Sequence, residues 1–102
     1  MAAPRAKKLF VIQTSRQIIR GARKAFLNTL ANPADGSFAG WPSSSMVTTV
    51  AAWDCSPVLM LSDIAYHAQN IQADSRCAIL FDGTAGYTRP QEGPRVSVVG
   101  RL

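Results

Sequence analysis

Most of this chain alternates hydrophobic and polar residues with the period of β-strands, and two stretches follow the period of helices. Five segments rich in β-branched and apolar residues are separated by turn-forming sequences: residues 25–31, 44–53, 57–62, 76–81 and 95–102. Apolar residues spaced at i, i+4 and i+7 predict a helix over residues 64–73, capped by Asp63. A shorter helix is expected from residue 14 or 15 to about residue 24.

These elements predict an α+β fold that is mainly antiparallel β, with one helix between strands. Tight turns at residues 32–37 and 54–56 favour antiparallel neighbours, and a sheet of this kind is expected to curl into a barrel. The last strand runs to residue 102 with no further strand to pair with its outer edge. Because a bare apolar edge promotes aggregation, either a partner subunit covers it or the chain is a fragment of a longer protein.

Length and composition allow one domain. The chain has 102 residues, and its hydrophobic fraction of 47% is too high for a disordered tail. No apolar run approaches the roughly 18 residues that span a bilayer, and residues 9–12 are too short for the core of a signal peptide. We therefore expect a soluble, cytoplasmic domain without a membrane partner.

Positive charge is concentrated at the start of the chain. Seven of the 11 Lys and Arg residues lie within the first 24 residues, where there is no acidic residue, and the remainder is net acidic. Residues 1–13 are predicted to form a loose basic arm ahead of a domain over residues 14–102. A solvated helix face explains this charge most simply, and an anionic partner is the alternative. No nucleic-acid partner is expected, because no stacking platform is visible.

Catalytic side chains are scarce. His67 is the only histidine, and Cys55 and Cys77 lack the spacing of a zinc site, so no metal is expected and the thiols are expected to be reduced. No pair of carboxylates suggests acid–base catalysis. Any activity is therefore expected to come from a bound cofactor.

The segment from Leu61 to Ile71 carries the clearest candidate site. It runs from a strand end into a helix start, where Ser62 offers a hydroxyl and the first helical N–H groups are free. His67 lies one turn into the helix, and Asn70 follows at i+3. This pattern suits a phosphate group, although ordinary helix capping explains Ser62 equally well.

Residues 62–81 resemble a motif of the pyridoxamine 5′-phosphate oxidase-like, FMN-binding split-barrel family, in the branch that includes haem-utilisation proteins. Residues 40–47 and 93–100 resemble two further strands of that family and fall in the right order. Ser75 departs from the usual proline, and Asn28 interrupts the family's first strand.

The resemblance implies a split β-barrel that forms a homodimer with FMN in a groove between the subunits. Together with the local pattern around Asn70, it predicts these cofactor-binding residues: Ser45, Met46, Val47, Thr48, Leu61, Ser62, His67, Asn70 and Arg95. Family members continue beyond the position of residue 102, so the C-terminal part of the family fold is expected to be absent and the barrel incomplete.

Three functions are compatible with these observations. The main expectation is an FMN-dependent oxidoreductase acting on an unknown small molecule; pyridoxamine phosphate itself is disfavoured, because the residues that bind its phosphate lie mainly in the absent C-terminal part. The first alternative is a haem-binding or haem-degrading utilisation protein, whose signature would be a further C-terminal histidine. The second is a non-enzymatic flavin-binding or dimerisation module.

Overall fold

The computed structural model describes residues 4–102, which form two α-helices, five β-strands and two short 3₁₀ turns. In chain order these are α1 (Pro4–Gly21), β1 (Lys24–Leu30), a 3₁₀ turn (Pro33–Phe38), β2 (Pro42–Ala51), β3 (Pro57–Met60), α2 (Tyr66–Ala73), β4 (Arg76–Asp82), a second 3₁₀ turn (Pro90–Glu92) and β5 (Arg95–Arg101). No helix within this described range is both long and apolar enough to cross a membrane.

The five strands form one antiparallel sheet that curls into half a barrel. Their order is β3-β2-β1-β4-β5, so β1 lies in the centre and pairs with both β2 and β4. The edge strands β3 and β5 approach each other across a groove of about 220 Å³, which Pro57 and Gly100 line from opposite sides. The prediction of an α+β fold with an incomplete antiparallel barrel is confirmed.

The hydrophobic core fills the inner face of the half-barrel. Leu27 of β1 and Phe81 of β4 are completely buried there, and Ile18 and Ile19 of α1 pack against the same cluster. Complete burial of an apolar side chain of this size contributes roughly 1.5–3 kcal/mol. Helix α1 therefore covers the open side of the curled sheet.

Helix α1 is longer than the sequence predicts. It begins at Pro4, whereas the predicted start lay at Thr14 or Ser15. The residues before Thr14 include strong helix formers such as Lys8 and Leu9, and the Ser15 hydroxyl donates to the carbonyl of Val11 (2.8 Å) inside the helix instead of capping it. The loose structure predicted for residues 1–13 is wrong for residues 4–13, and residues 1–3 lie outside the described part.

Helix α2 is shorter than predicted. It begins at Tyr66, and Ala65 occupies the N-cap position without a side-chain hydrogen bond, so the predicted cap at Asp63 is wrong. The chain makes a turn first, in which the Ala65 N–H donates to the carbonyl of Ser62 (3.0 Å). This turn displaces the helix start and leaves Ser62 and Asp63 exposed.

Helix α2 is attached to the end of β1 through the buried side chain of Asn70. Its Nδ2 donates to Oγ1 of Thr29 (3.1 Å), and its Oδ1 accepts from the N–H of Asn32 (2.9 Å). The Tyr66 hydroxyl donates to the carboxylate of Asp35 on the same side of the helix. These bonds fix the helix against both β1 and the turn that leads to β2.

Replacing Asn70 with alanine is expected to lower the free energy of unfolding by about 2–4 kcal/mol. The substitution removes two hydrogen bonds and leaves the buried Thr29 hydroxyl and the Asn32 N–H without their partner. Urea titration followed by circular dichroism measures the change. Gln69→Ala, at the exposed neighbouring position, is the control and is expected to cost about 0.5 kcal/mol or less. Equal losses for the two variants would contradict the anchoring role of Asn70.

Candidate functional site: the outer face of the sheet

The outer face of the sheet carries an unusual number of exposed apolar side chains. We use "outer face" for the alternate strand residues that point away from the core. Among them, Met46, Met60 and Val99 are 64%, 76% and 80% exposed within the part of the chain that the structure describes. Phe26 of β1 and Leu80 of β4 lie on the same face, on the two central strands, and both are partly exposed. Apolar surface in this quantity is typical of a binding surface.

The strand register places a charged row beside an apolar row on this face. Met46 lies opposite Phe26, and Phe26 lies opposite Leu80, which together form the apolar row. Two residues further along the strands, the same register brings Lys24 level with Asp82, which pairs with Arg95. The outer face therefore combines an apolar middle with two cations at one margin.

Arg95 lies at this margin with most of its hydrogen-bonding capacity unused. Its Nη1 donates to the carbonyl of Pro90 (3.1 Å), which is the one hydrogen bond of this guanidinium within residues 4–102. A guanidinium has five N–H donors. Arg95 also lines an open groove of about 430 Å³ together with Leu80 and Asp82. It is therefore well placed to bind an anionic group.

The carboxylate of Asp82, in the same row, is held in its charged form by its surroundings. Hydrogen bonds from the side chain and backbone of Thr84 lower the pKa of Asp82, and the charges of Lys24 and Arg95 lower it further. The Asp82 carboxylate thus already accepts hydrogen bonds from Thr84. Its one negative charge does not balance the two positive charges of Lys24 and Arg95. The margin has a net positive charge.

The arginines at the opposite margin of the outer face are already engaged. Arg76 forms a salt bridge with Asp74 (2.7 Å), and the hydrogen bond from Arg76 holds the pKa of Asp74 at about 2. Arg101 donates to the hydroxyl of Ser75 (3.2 Å). Of the two margins, the one with Lys24 and Arg95 has more capacity for a ligand.

Three of the predicted site residues lie on the outer face of the sheet, although on strands that are not neighbours. Along β2, side chains alternate between faces, so Ser45 and Val47 point inward while Met46 and Thr48 lie on the outer face. Arg95 shares that face, at the level of Thr48.

The remaining predicted residues lie around α2, on the inner side of the sheet. Leu61 and Ser62 belong to the connection before the helix, and His67 is half-buried in its first turn. Asn70 has no exposed surface, and both the nitrogen and the oxygen of its side-chain amide form hydrogen bonds inside the protein. Their roles in cofactor binding stay predictions.

Sequence reasoning missed Lys24 as a site residue. The only signal for it is the pairing of β1 with β4, which a single sequence does not reveal. Cys77, by contrast, lines two of the grooves, but burial raises the pKa of its thiol and disfavours the reactive thiolate. Among residues 4–102 there is also no group of three or more His, Cys, Asp or Glu side chains that would hold a metal ion.

Comparisons with known proteins find one related curated sequence and several solved structures with the same fold. No family model matches the chain. Among curated proteins, the chain is 29% identical over 77 residues to the chloroplastic non-canonical haem oxygenase HOZ of Arabidopsis thaliana, covering 76% of this chain and 23% of that protein. Among solved structures, a haem-binding protein from Mycobacterium smegmatis matches 89% of this chain and 35% of its own, with a TM-score of 0.76 and 27% identity. HutZ, the haem storage protein of Vibrio cholerae, shares the fold at 16% identity, with a TM-score of 0.65 over 84% of this chain and 56% of its own.

Two of these similarities correct the predicted cofactor. The prediction of FMN is wrong, because the curated relative is named a haem oxygenase and the structure from Mycobacterium smegmatis is named a haem-binding protein. They favour the first alternative drawn from the sequence over a flavin-dependent oxidoreductase. The chain spans less than a quarter of the curated relative and about a third of the haem-binding structure from Mycobacterium smegmatis.

Proposed function

We propose that this chain is a haem-binding protein of the haem-utilisation type. The observation that carries the proposal is the match to the haem-binding protein of Mycobacterium smegmatis over 89% of the chain at 27% identity. The similarity to a haem oxygenase supports the same ligand. The outer face of the sheet supports it independently, through the chemistry of its side chains.

Haem needs an apolar surface for its ring, cations for its two carboxylates and a donor atom for its iron. The row of Met46, Phe26 and Leu80 offers the apolar surface, and Lys24 and Arg95 offer the cations. The thioether of Met46 is a soft donor on the same face. The residues of the outer face therefore fit haem chemically.

The groove beside Arg95 is too open to enclose haem in one copy of the chain. It has a volume of about 430 Å³ and is bounded by surface residues such as Gln91 and Arg95. Pockets that bury a small-molecule ligand surround most of its surface. A second apolar surface is needed over the ring, and we propose that a second copy of the chain supplies it.

In this proposal each part of the outer face has a distinct task. Met46 and its apolar neighbours exclude water from the ring, while Lys24 and Arg95 orient it by binding its carboxylates. Bound haem would supply a redox-active iron.

Hemin titration followed by the Soret band tests this placement. Arg95→Gln is expected to weaken hemin binding about tenfold, because a charge-assisted hydrogen bond of about 1.5 kcal/mol is lost. Arg101→Gln is the matched control, since this arginine lies on the same strand but donates to Ser75. Its affinity for hemin is expected to stay within twofold of the wild type, and so is that of His67→Ala.

Two results would contradict the proposal at different levels. If His67→Ala abolishes the shift of the Soret band while Arg95→Gln has no effect, haem binds beside α2 and the outer face is the wrong site. If the wild-type chain does not change the hemin spectrum at all, haem binding itself is wrong.

The proposed homodimer is tested by light scattering coupled to size exclusion. The wild type is expected to elute as a dimer, and Met46→Lys combined with Val99→Lys is expected to be monomeric, because two charges would be buried in the interface. Ile64→Lys is the control, since Ile64 is 86% exposed but lies in the connection before α2. A monomeric wild type, or equal disruption by the control, would refute an interface on the outer face.

Haem breakdown is the second candidate function, favoured by the 29% identity to a haem oxygenase over 76% of the chain. With saturating hemin, a reductant and oxygen, the Soret band of the haem-loaded protein is expected to decay faster than that of free hemin. Catalase in the assay removes hydrogen peroxide as an alternative oxidant. A stable Soret band would instead favour binding or storage.

A further inference from the structure

The first half of α1 bears apolar side chains that the fold does not cover. Ile18 and Ile19, in the second half, pack on the core, but the four consecutive residues 9–12 are all exposed, and Phe10 reaches 68%. Successive helical residues point in directions about 100° apart, so these four side chains surround the helix. No contact within one copy of the described chain accounts for them.

Along one side of α1, two apolar residues are followed by two arginines. Leu9, Ile12, Arg16 and Arg20 follow one another at spacings of three, four and four residues, which places them along one face. At a rise of 1.5 Å per residue, this face is about 16 Å long.

The turn between β2 and β3 extends this face with an exposed tryptophan. Nη2 of Arg20 donates to the carbonyl of Trp53 (3.0 Å), and the thiol of Cys55 donates to the carbonyl of Arg16 (3.7 Å). Trp53 itself is 95% exposed. We call Leu9, Ile12, Arg16, Arg20 and Trp53 the α1 strip.

The surroundings of the strip are cationic. Lys7 and Lys8 precede it on the same helix, and the first acidic residue of the chain is Asp35. The carboxylate that faces the strip is Asp54, whose pKa is lowered mainly by hydrogen bonds from Ser56 and also by the charge of Arg16. One carboxylate, already bonded to Ser56, does not balance four cations.

We propose that the α1 strip binds the surface of an anionic lipid bilayer. Arginine and lysine pair with lipid phosphates, while leucine, isoleucine and tryptophan enter the boundary between head groups and acyl chains. Symmetric pairing with a second copy would bring like charges together, so charge complementarity favours a lipid surface. The expectation of no membrane partner rested on the absence of a spanning segment, and peripheral binding does not need one.

Vesicle binding of the full chain, in a Trp41→Phe background, tests the proposal, because Trp53 is then the only tryptophan. The expected result is a blue shift of Trp53 emission and cosedimentation with vesicles containing phosphatidylglycerol, but not with phosphatidylcholine alone. Arg16→Gln with Arg20→Gln is expected to weaken binding about 25-fold, since each cation near an anionic surface contributes about fivefold. Leu9→Gln with Ile12→Gln is expected to abolish the blue shift.

The matched control is Phe38→Gln with Ile64→Gln, which makes the same kind of change on exposed residues that lie outside both the α1 strip and the outer face. This variant is expected to bind vesicles like the wild type, and circular dichroism confirms that all variants keep their helices. The proposal fails if anionic vesicles do not bind, or if Leu9→Gln with Ile12→Gln binds equally well. It also fails if heparin shifts Trp53 emission as far as vesicles do, or if the strip variants dissociate a lipid-free oligomer. None of these outcomes depends on haem binding.

Discussion

The buried amide of Asn70 is the interaction on which the arrangement around the sheet depends. A side-chain amide with no exposed surface is stable only when its donor and acceptor are both used, and here Thr29 and Asn32 provide the partners. Because Thr29 is the next-to-last residue of β1 and Asn32 caps the 3₁₀ turn that leads to β2, one side chain sets the position of α2 relative to both. The orientation of His67, one turn earlier on the same helix, follows from this anchor.

The two faces of the curled sheet differ in burial: the inner face is covered and the outer face is exposed. On the inner face, Leu27 and Phe81 are fully buried because α1 closes the open side of the half-barrel. The same alternation of side chains that fills this core places Met46 and Val99 outside, where no element among residues 4–102 buries them. A half-barrel with apolar residues on both faces therefore needs a further surface, and this is why haem binding and self-association are proposed for the same place.

The strands and the fold class were predictable from the sequence because alternation is a local signal. The start of α1 was missed because helix propensity extends it to Pro4, well before the hydroxyl side chains of Thr14 and Ser15 that predicted its start, and the start of α2 was missed because a turn intervenes at Ser62. The candidate site was less predictable. Neighbours such as Val47 and Thr48 face opposite ways, and the approach of Lys24 to Arg95 depends on strand register. FMN was predicted wrongly because shared strand and helix motifs report a common fold and do not report which ligand occupies it.

Two proposed binding surfaces lie on opposite sides of the molecule. Helix α1 packs on the inner face of the sheet, so the α1 strip and the outer face are separated by the core and by the sheet itself. Arg16 and Arg20 belong to the helix layer and Arg95 to the outer face of the sheet, so they are not expected to compete for the same anionic ligand. A chain held on a lipid surface through α1 would keep its outer face turned toward solvent. Attachment and haem binding are then compatible in one molecule, and mutations in one surface are expected to leave the other intact.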